Sequence, residues 1–239
     1  MIDPRRPNMA MPKRASATFD FDLLAEDYDR WYETSKGRTY DRLEKRAVAR
    51  LLPHSSRRRR LLEVGCGTGH WTCFFSEKGF RIAAVDISPA MLGIARGKDI
   101  SGPSFSIADA HSLPFRDSQF DVAAAIATLE FVRNPEVVVD EMARCLRKPK
   151  GVLLVGVLNA WSRRNRRKKS SGQLPYSAVH LFSPREVKTM LAPYGRTEVT
   201  VTAFVPSAPW LLPLAPLANV LLRMLHLPYG DFIVGRVEL

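Results

Sequence analysis

Between residues 60 and 160, short apolar runs alternate with longer stretches whose apolar residues recur every three or four positions. "LLEV" (61–64), "FRIAAV" (80–85), "SFSIA" (104–108), "FDVAAAIAT" (120–128) and "GVLLVGVLN" (151–159) predict strands. The last two are nearly apolar throughout, as in strands buried on both faces. "HWTCFFSEKG" predicts a helix closed by Gly79, and "SPAMLGIARGK" a helix capped by Ser88 with Pro89 at its first position. "NPEVVVDEMARCLRK" (134–148) predicts a third, opened by the cap-proline signal of Asn134 and Pro135. This order of elements gives a parallel sheet covered on both faces, because each crossover lays a helix against it. Several of the strands end in polar residues at one edge, where such sheets bind ligands.

The flanks are patterned differently. Tyr40, Leu43, Ala47, Val48 and Leu51 mark one face of a helix over 36–52, and the aromatic, acidic "FDFDLLAEDYDRWYET" (19–34) predicts a shorter helix or ordered segment. Downstream, residues 161–180 read as a basic loop with six cationic residues between Arg163 and Lys169. Ser183 and Glu186 form a capping box that opens a helix to about Leu191. "TEVTVTAFV" (197–205) alternates like a strand, and "DFIVGRVEL" closes the chain as another. The longest apolar stretch, "WLLPLAPLANVLLRMLHL" (210–227), is interrupted by Pro213, Pro216, Asn219, Arg223 and His226. Its helix after Pro216 would have about eleven residues, against roughly 20 for a bilayer crossing. Leu217, Val220, Leu221, Met224 and Leu225 share a face opposite Asn219, Arg223 and His226. That face could wall a hydrophobic pocket, rest on a membrane surface, pack a dimer or join the core.

Composition narrows the class. A chain of 239 residues suggests one or two domains, and 46% hydrophobic with 25% charged residues is ordinary for a globular protein. The net charge of +12 points to an acidic partner or to solvated basic faces. Cys66, Cys73 and Cys145 form neither a disulfide framework nor a zinc spacing, so no metal is expected and a reducing cytoplasm is the simplest location. Residues 1–18 lack the apolar region of a secretory leader and read as a mobile arm, with "RRRR" (57–60) a charged connection. The organisation expected is the arm, a helical lid over 19–52, a ligand-binding core over 53–160, the basic loop over 161–180, and a C-terminal part of the same domain over 181–239 that carries the apolar insertion.

The candidate chemistry lies in "LLEVGCGTGHW" (61–71). Gly65, Gly67 and Gly69 alternate directly after a strand and Glu63, a pattern costly in conformational entropy. Strand, glycine turn and helix start together suit a ligand that approaches bare backbone. The dinucleotide pattern G-x-G-x-x-G would need a third glycine where His70 stands, which counts against a nicotinamide-dependent oxidoreductase.

The observed E-x-G-x-G-x-G resembles motif I of the class I S-adenosylmethionine-dependent methyltransferases, in the small-molecule "type 11"-like branch. "VDIS" (85–88), "ADAHSLPF" (108–115) and "FDVAAAIATLEFVRNP" (120–135) match further family segments, so the resemblance covers about residues 60–160. It implies a Rossmann-like α/β three-layer sandwich with a seven-stranded, mostly parallel sheet and an antiparallel last strand. It implies S-adenosylmethionine as cofactor, its methionine part over Gly65, Cys66, Gly67 and Gly69 and its amino group within reach of Glu63. Asp86 would hold the ribose diol, Ile87 and Met91 would flank the adenine, and Asp109 and Ala110 would meet its polar edge. Ala127, Thr128 and Glu130 would line the reaction cavity under a lid containing Tyr28, Trp31 and Tyr32.

A methyl group on sulfonium is already activated, so such an enzyme chiefly aligns the acceptor and excludes water. A base is needed only for an acceptor protonated at neutral pH. Glu130 and His180 are the candidates, with less to recommend His111 and His70. The fourth strand lacks the [DN]-P-P-[YFW] grip for planar amines, and the cysteines do not suit arsenite. The expected acceptor is a small, hydrophobic molecule. An RNA acceptor held by the basic loop stays open, although no aromatics are interleaved with its cations for stacking. So does a cofactor-binding protein without turnover. Peripheral membrane contact is compatible with the apolar insertion, and the sequence leaves the oligomeric state open.

Overall fold

The computed structural model describes residues 16–53, 59–225 and 227–239. The arm expected before residue 16, Arg57 and Arg58 of the charged connection, and His226 lie outside the described residues.

Helices α1 (Arg30–Glu33) and α2 (Ser35–Leu51) precede β1 (Arg60–Val64). Then come α3 (His70–Glu77), β2 (Arg81–Asp86), α4 (Pro89–Gly97), β3 (Ser104–Ile107), β4 (Val122–Ile126), α5 (Pro135–Cys145) and β5 (Val152–Leu158). The C-terminal part holds α6 (Arg163–Ser170), α7 (Pro184–Leu191), β6 (Thr197–Thr202), α8 (Ala215–Met224) and β7 (Phe232–Glu238). The seven strands form one sheet in the order β3-β2-β1-β4-β5-β7-β6, with β7 antiparallel to both of its neighbours. This is the mixed Rossmann-like sandwich expected. The strand order reverses between β1 and β4, which pair in parallel from Leu61↔Val122 to Glu63↔Ala124.

Alternation along each strand builds the three layers. On β1, Leu61 packs on the side of α2 and α3 with Val48 and Phe75, while Leu62 and Val64 pack on the side of α5 and α7 with Val139 and Val187. The caps follow local sequence. The Ser88 hydroxyl accepts from the Met91 N–H at 3.1 Å, and Ser183 and Glu186 complete their capping box. Asn134 differs: it occupies the cap position of α5 at φ +53° without a side-chain cap bond, so Pro135 alone opens that helix as expected.

Two expectations need correction and one is refined. The basic stretch is not a loop throughout, because Arg163–Ser170 is helical. Arginine and lysine are good helix formers, and the Ser162 hydroxyl caps the helix by accepting from the Asn165 N–H at 3.1 Å. The segment over 19–34 is two short pieces, a 3-10 helix at Phe21–Asp27 and α1. Finally, Ser16–Thr18, the end of the expected arm, is fixed. Ala17 bridges Val132, the Thr18 N–H donates to Phe131 O at 2.8 Å, and the Arg133 N–H donates to Ser16 O at 2.9 Å.

Helix α8 is turned opposite to the usual arrangement of an amphipathic helix. Its buried residue is Ala215, and the Asn219 amide faces inward, donating to Phe204 O at 2.7 Å and accepting from the Phe204 N–H at 2.9 Å. Leu217, Leu221 and Met224 face outward, 69%, 55% and 68% exposed. Among the described residues no helix is long and apolar enough to cross a membrane.

The C-terminal part is joined to β5 by buried amides. The Asn159 amide donates to Gly230 O at 2.8 Å and its oxygen accepts from the Trp161 N–H at 2.9 Å. The Asn165 amide donates to Asn159 O at 3.1 Å and Asp231 O at 2.7 Å. Replacing Asn159 with alanine strands the Gly230 carbonyl in a buried site, and the variant is expected to lose about 1–3 kcal/mol of stability in urea denaturation. A loss below a few tenths would show that this junction does not hold the C-terminal part in place.

Candidate functional site

A cavity opens at the carboxyl edge of the sheet where the strand order reverses, the place at which such sheets bind ligands. Its floor comes from the turns that leave β1, β2 and β4. Gly65, Gly67, Asp86, Ile87, Met91, Asp109, Ala110, Ala127 and Thr128, all singled out by sequence, line it together.

Each glycine of the turn has a different reason to be one. All three have positive φ. At Gly65 a Cβ would sit 2.3 Å from the Thr128 methyl. That threonine fills the space because its hydroxyl, set between β1 and β4, lies 3.2 Å from Val64 O and 3.1 Å from Ile126 O. At Gly67 a Cβ would meet no protein atom within 4 Å. Gly67 borders the cavity, so glycine there leaves bare backbone facing a ligand. Gly69 caps α3 in the left-handed region and packs on Ala95 of α4, away from the cavity wall.

Asp86 ends β2 with one carboxylate oxygen accepting from the Gly67 N–H at 2.7 Å and the other from the Ser88 N–H at 2.9 Å. Burial pushes its pKa up and these donors oppose that; they also hold its oxygens in place, with lone pairs left for a ligand. Asp109 accepts from the His111 N–H at 2.9 Å and from its ring at 2.8 Å. Ala127 turns the chain at φ +53°, strained for a residue with a Cβ, and aims the end of β4 past the glycine turn.

Other expected residues stand off the wall. Glu63 is buried on α3, accepting from the Thr72 hydroxyl at 2.7 Å, and burial pushes it up to about 8. Cys66 is buried behind the turn. Tyr28 lines the cavity, but Tyr32 stacks on His70 with ring centroids 3.6 Å apart. Trp31 lies under the basic helix, with Arg164 at 5.6 Å and Lys168 at 5.3 Å from its ring. The His180 side chain sits on Phe182 and 3.5 Å from Glu186, and the residue reaches Glu130 only through its N–H, 2.9 Å from Glu130 O.

Glu130 is fully buried, and among the described residues neither carboxylate oxygen has a hydrogen-bond partner. The N–H groups of Leu158 and of Glu130 itself lie near without completing a bond, and burial pushes the acid up to about 8. It does not line the cavity as expected, but lies between Thr128 and Phe131, which do, and within electrostatic reach of Tyr28.

Sequence reasoning expected a lid containing Tyr28 but missed the rest of the roof. Ser16, Ala17, Phe21, Phe131 and Val132 complete the cavity with Tyr28, and His111 joins the wall beside Asp109. Phe21 meets Phe131 edge-to-face at 4.8 Å. Asp29 fastens the roof to the glycine turn by accepting from the Thr68 hydroxyl at 2.7 Å, and pairs with Lys98 at 2.6 Å. The only sequence signal was the density of acids and aromatics over 19–34.

Residues 36–200 match the family described as a methyltransferase domain. An uncharacterized protein of Methanocaldococcus jannaschii is 31% identical over 76% of this chain and 83% of its own length. The phosphatidylethanolamine N-methyltransferase of Cereibacter sphaeroides is 34% identical over 57% of this chain and 68% of that enzyme. The crystal structure of an S-adenosylmethionine-dependent methyltransferase from Thermotoga maritima superposes with a TM-score of 0.69 at 27% identity, covering 90% of this chain and 96% of the other.

The buried acids give the fold a pH dependence. Glu63 and Glu130 hold protons in the folded chain up to about pH 8, whereas an unfolded glutamate releases its proton near 4.5. Across that window the folded state binds more protons, so stability falls as pH rises. Glu130→Gln is expected to make the fall shallower by up to about 1 kcal/mol per pH unit in denaturation series from about pH 5 to about pH 8. An unchanged slope would mean that Glu130 is ionised in the folded protein.

Proposed function

The chain belongs to the class I S-adenosylmethionine-dependent methyltransferases, and from that membership we propose that it methylates a small, amphipathic acceptor in the roofed cavity. The observation that carries this reading is the roof. Residues Ser16–Tyr28 lie across the carboxyl edge of the sheet and are tied to β4's downstream segment and to the glycine turn. An acceptor must pass beneath this cover, which suits a slim molecule or the end of one and not a folded nucleic acid. The walls it would pass are mostly apolar: Phe21, Phe131, Val132 and Ala17. The likeness to a phosphatidylethanolamine N-methyltransferase fits an acceptor with both polar and apolar parts.

The residues present suit the cofactor. Gly67 offers bare backbone to the methionine part, and Asp86 offers carboxylate lone pairs to a ribose diol. Ile87, Met91 and Ala108 make an apolar slot for adenine, with Asp109 and Ala110 at its polar edge. Glu63 serves the turn from behind, by fixing α3, and not by contact with the ligand. When bound, the cofactor supplies a sulfonium-activated methyl group. The protein's part is to hold the acceptor in line, exclude water under the roof and accept a proton where the acceptor carries one. Glu130 is the base in this reading, in the fraction of molecules in which it has lost its proton: it lies two residues past Thr128 of the wall, within electrostatic reach of Tyr28, and is raised toward neutrality. His180 assists by holding the Glu130 segment through the main chain.

Asp86→Ala is expected to weaken S-adenosylmethionine about tenfold or more in calorimetric titration while the fold is retained, since a pair of charge-assisted hydrogen bonds is lost. Unchanged affinity would remove the ribose from this residue. The acceptor reading is tested by transfer of labelled methyl to a panel of amphipathic amines, phenols and acids, run beside RNA. Labelling of a small acceptor is expected, with kcat about 10²-fold lower in Glu130→Gln and cofactor affinity unchanged. Labelling of RNA alone would overturn the proposal.

A further inference from the structure

The apolar insertion and the basic helix flank a common segment, since Phe204 bonds Asn219 of α8 and lines a cleft with α6. Trp210, Leu214, Leu217, Leu221, Met224 and Leu225 are each more than half exposed, and the last five lie on successive turns of one side of α8 and its approach. The α6 side of the molecule holds a cleft lined by Arg163, Arg166 and Arg167, by Phe204, Val205 and Tyr229, and by one acid, Asp231. Helix α6 carries six cations, and neither residues 161–180 nor residues 204–230 contain an aspartate or glutamate.

We propose that this surface docks on a lipid bilayer containing anionic phospholipids, with α8 lying in the interface and α6 against the headgroups. The inward turn of Asn219 is the first argument. Its amide bonds hold α8 with its apolar side to solvent, an orientation that only an apolar surrounding would favour. Length is the second, since ten residues rest in an interface but do not cross it. Charge is the third. Basic side chains beside an inserted apolar helix are drawn to anionic headgroups, whereas a second copy on the same face would bring two uncompensated basic helices together. Arg163, Arg167 and Lys169 are exposed on α6, available to headgroups. Arg164 and Lys168 of the same helix rest on Trp31, so α6 is held against α1. The proposal stands whether or not the acceptor is itself a lipid.

The test is flotation of the full-length protein with vesicles of phosphatidylcholine alone and of phosphatidylcholine with phosphatidylglycerol, at low and high salt. Expected are at least about tenfold tighter association with the anionic vesicles, weakening in salt, and a blue shift of Trp210 emission that is lost in Trp210→Phe. The triple variant L217Q/L221Q/M224Q should lose association, and R163Q/R167Q/K169Q should lose the preference for anionic lipid. Both should keep the wild-type circular dichroism and cofactor affinity, which separates lost docking from lost fold. Absence of vesicle association by the wild-type protein would overturn the proposal, as would equal association of both variants. Two further results would also overturn it: a dimer that L217Q/L221Q/M224Q dissociates, giving the face to a second copy, or RNA binding that the cation variant loses and the apolar variant keeps.

Discussion

The site depends on the close approach of β1 and β4 where the strand order reverses. Their turns cannot be spaced apart, because the Thr128 side chain already fills the volume in which Gly65 lacks a Cβ, and its hydroxyl lies against carbonyls of both strands. From that contact the rest of the floor follows. With Gly65 fixed, Gly67 presents its N–H to Asp86, which ties the turn to the end of β2. The Ser88 cap then starts α4 beside the same carboxylate, and its hydroxyl meets Asp22 of the roof. One steric constraint at the switch point thus sets the positions of the Asp86 carboxylate, the apolar slot and the anchor of the cover.

The electrostatics run against the bulk charge. The chain carries a net +12, yet Asp86, Asp109 and Glu130 gather at the carboxyl edge, and two of them are raised by burial. Arginine and lysine are concentrated elsewhere, most densely on α6. Such separation lets one molecule present an acidic, water-poor site to a cationic cofactor and a basic exterior to an anionic surface.

What could be read from sequence was what local chemistry decides. Ser88 with Pro89 and Ser183 with Glu186 specify their helices within four residues, and the alternation on β1 names both faces of the sheet. The glycines, Asp86, Asp109 and Thr128 were legible because they occupy fixed positions after their strands. The basic helix was not, since Ser162 and Asn165 are held by Asp231, about seventy residues away in sequence. Nor was the orientation of α8: periodicity gives an apolar side and a polar side, but the amide partner at Phe204 decides which one turns inward. Trp31 was expected in the lid and was instead drawn under the cations of α6.

The bonds that close the roof join residues 16–18 to residues 131–133, a span of 113 positions for Thr18 and Phe131. Closing so long a loop costs chain entropy that is recovered only once both ends have rigid surfaces to meet. The sheet from β1 to β4 must therefore exist before the cover can settle on it. During synthesis residues 16–18, which emerge early, are among the last to be placed in space. The pocket is complete only when the chain has emerged beyond Arg133.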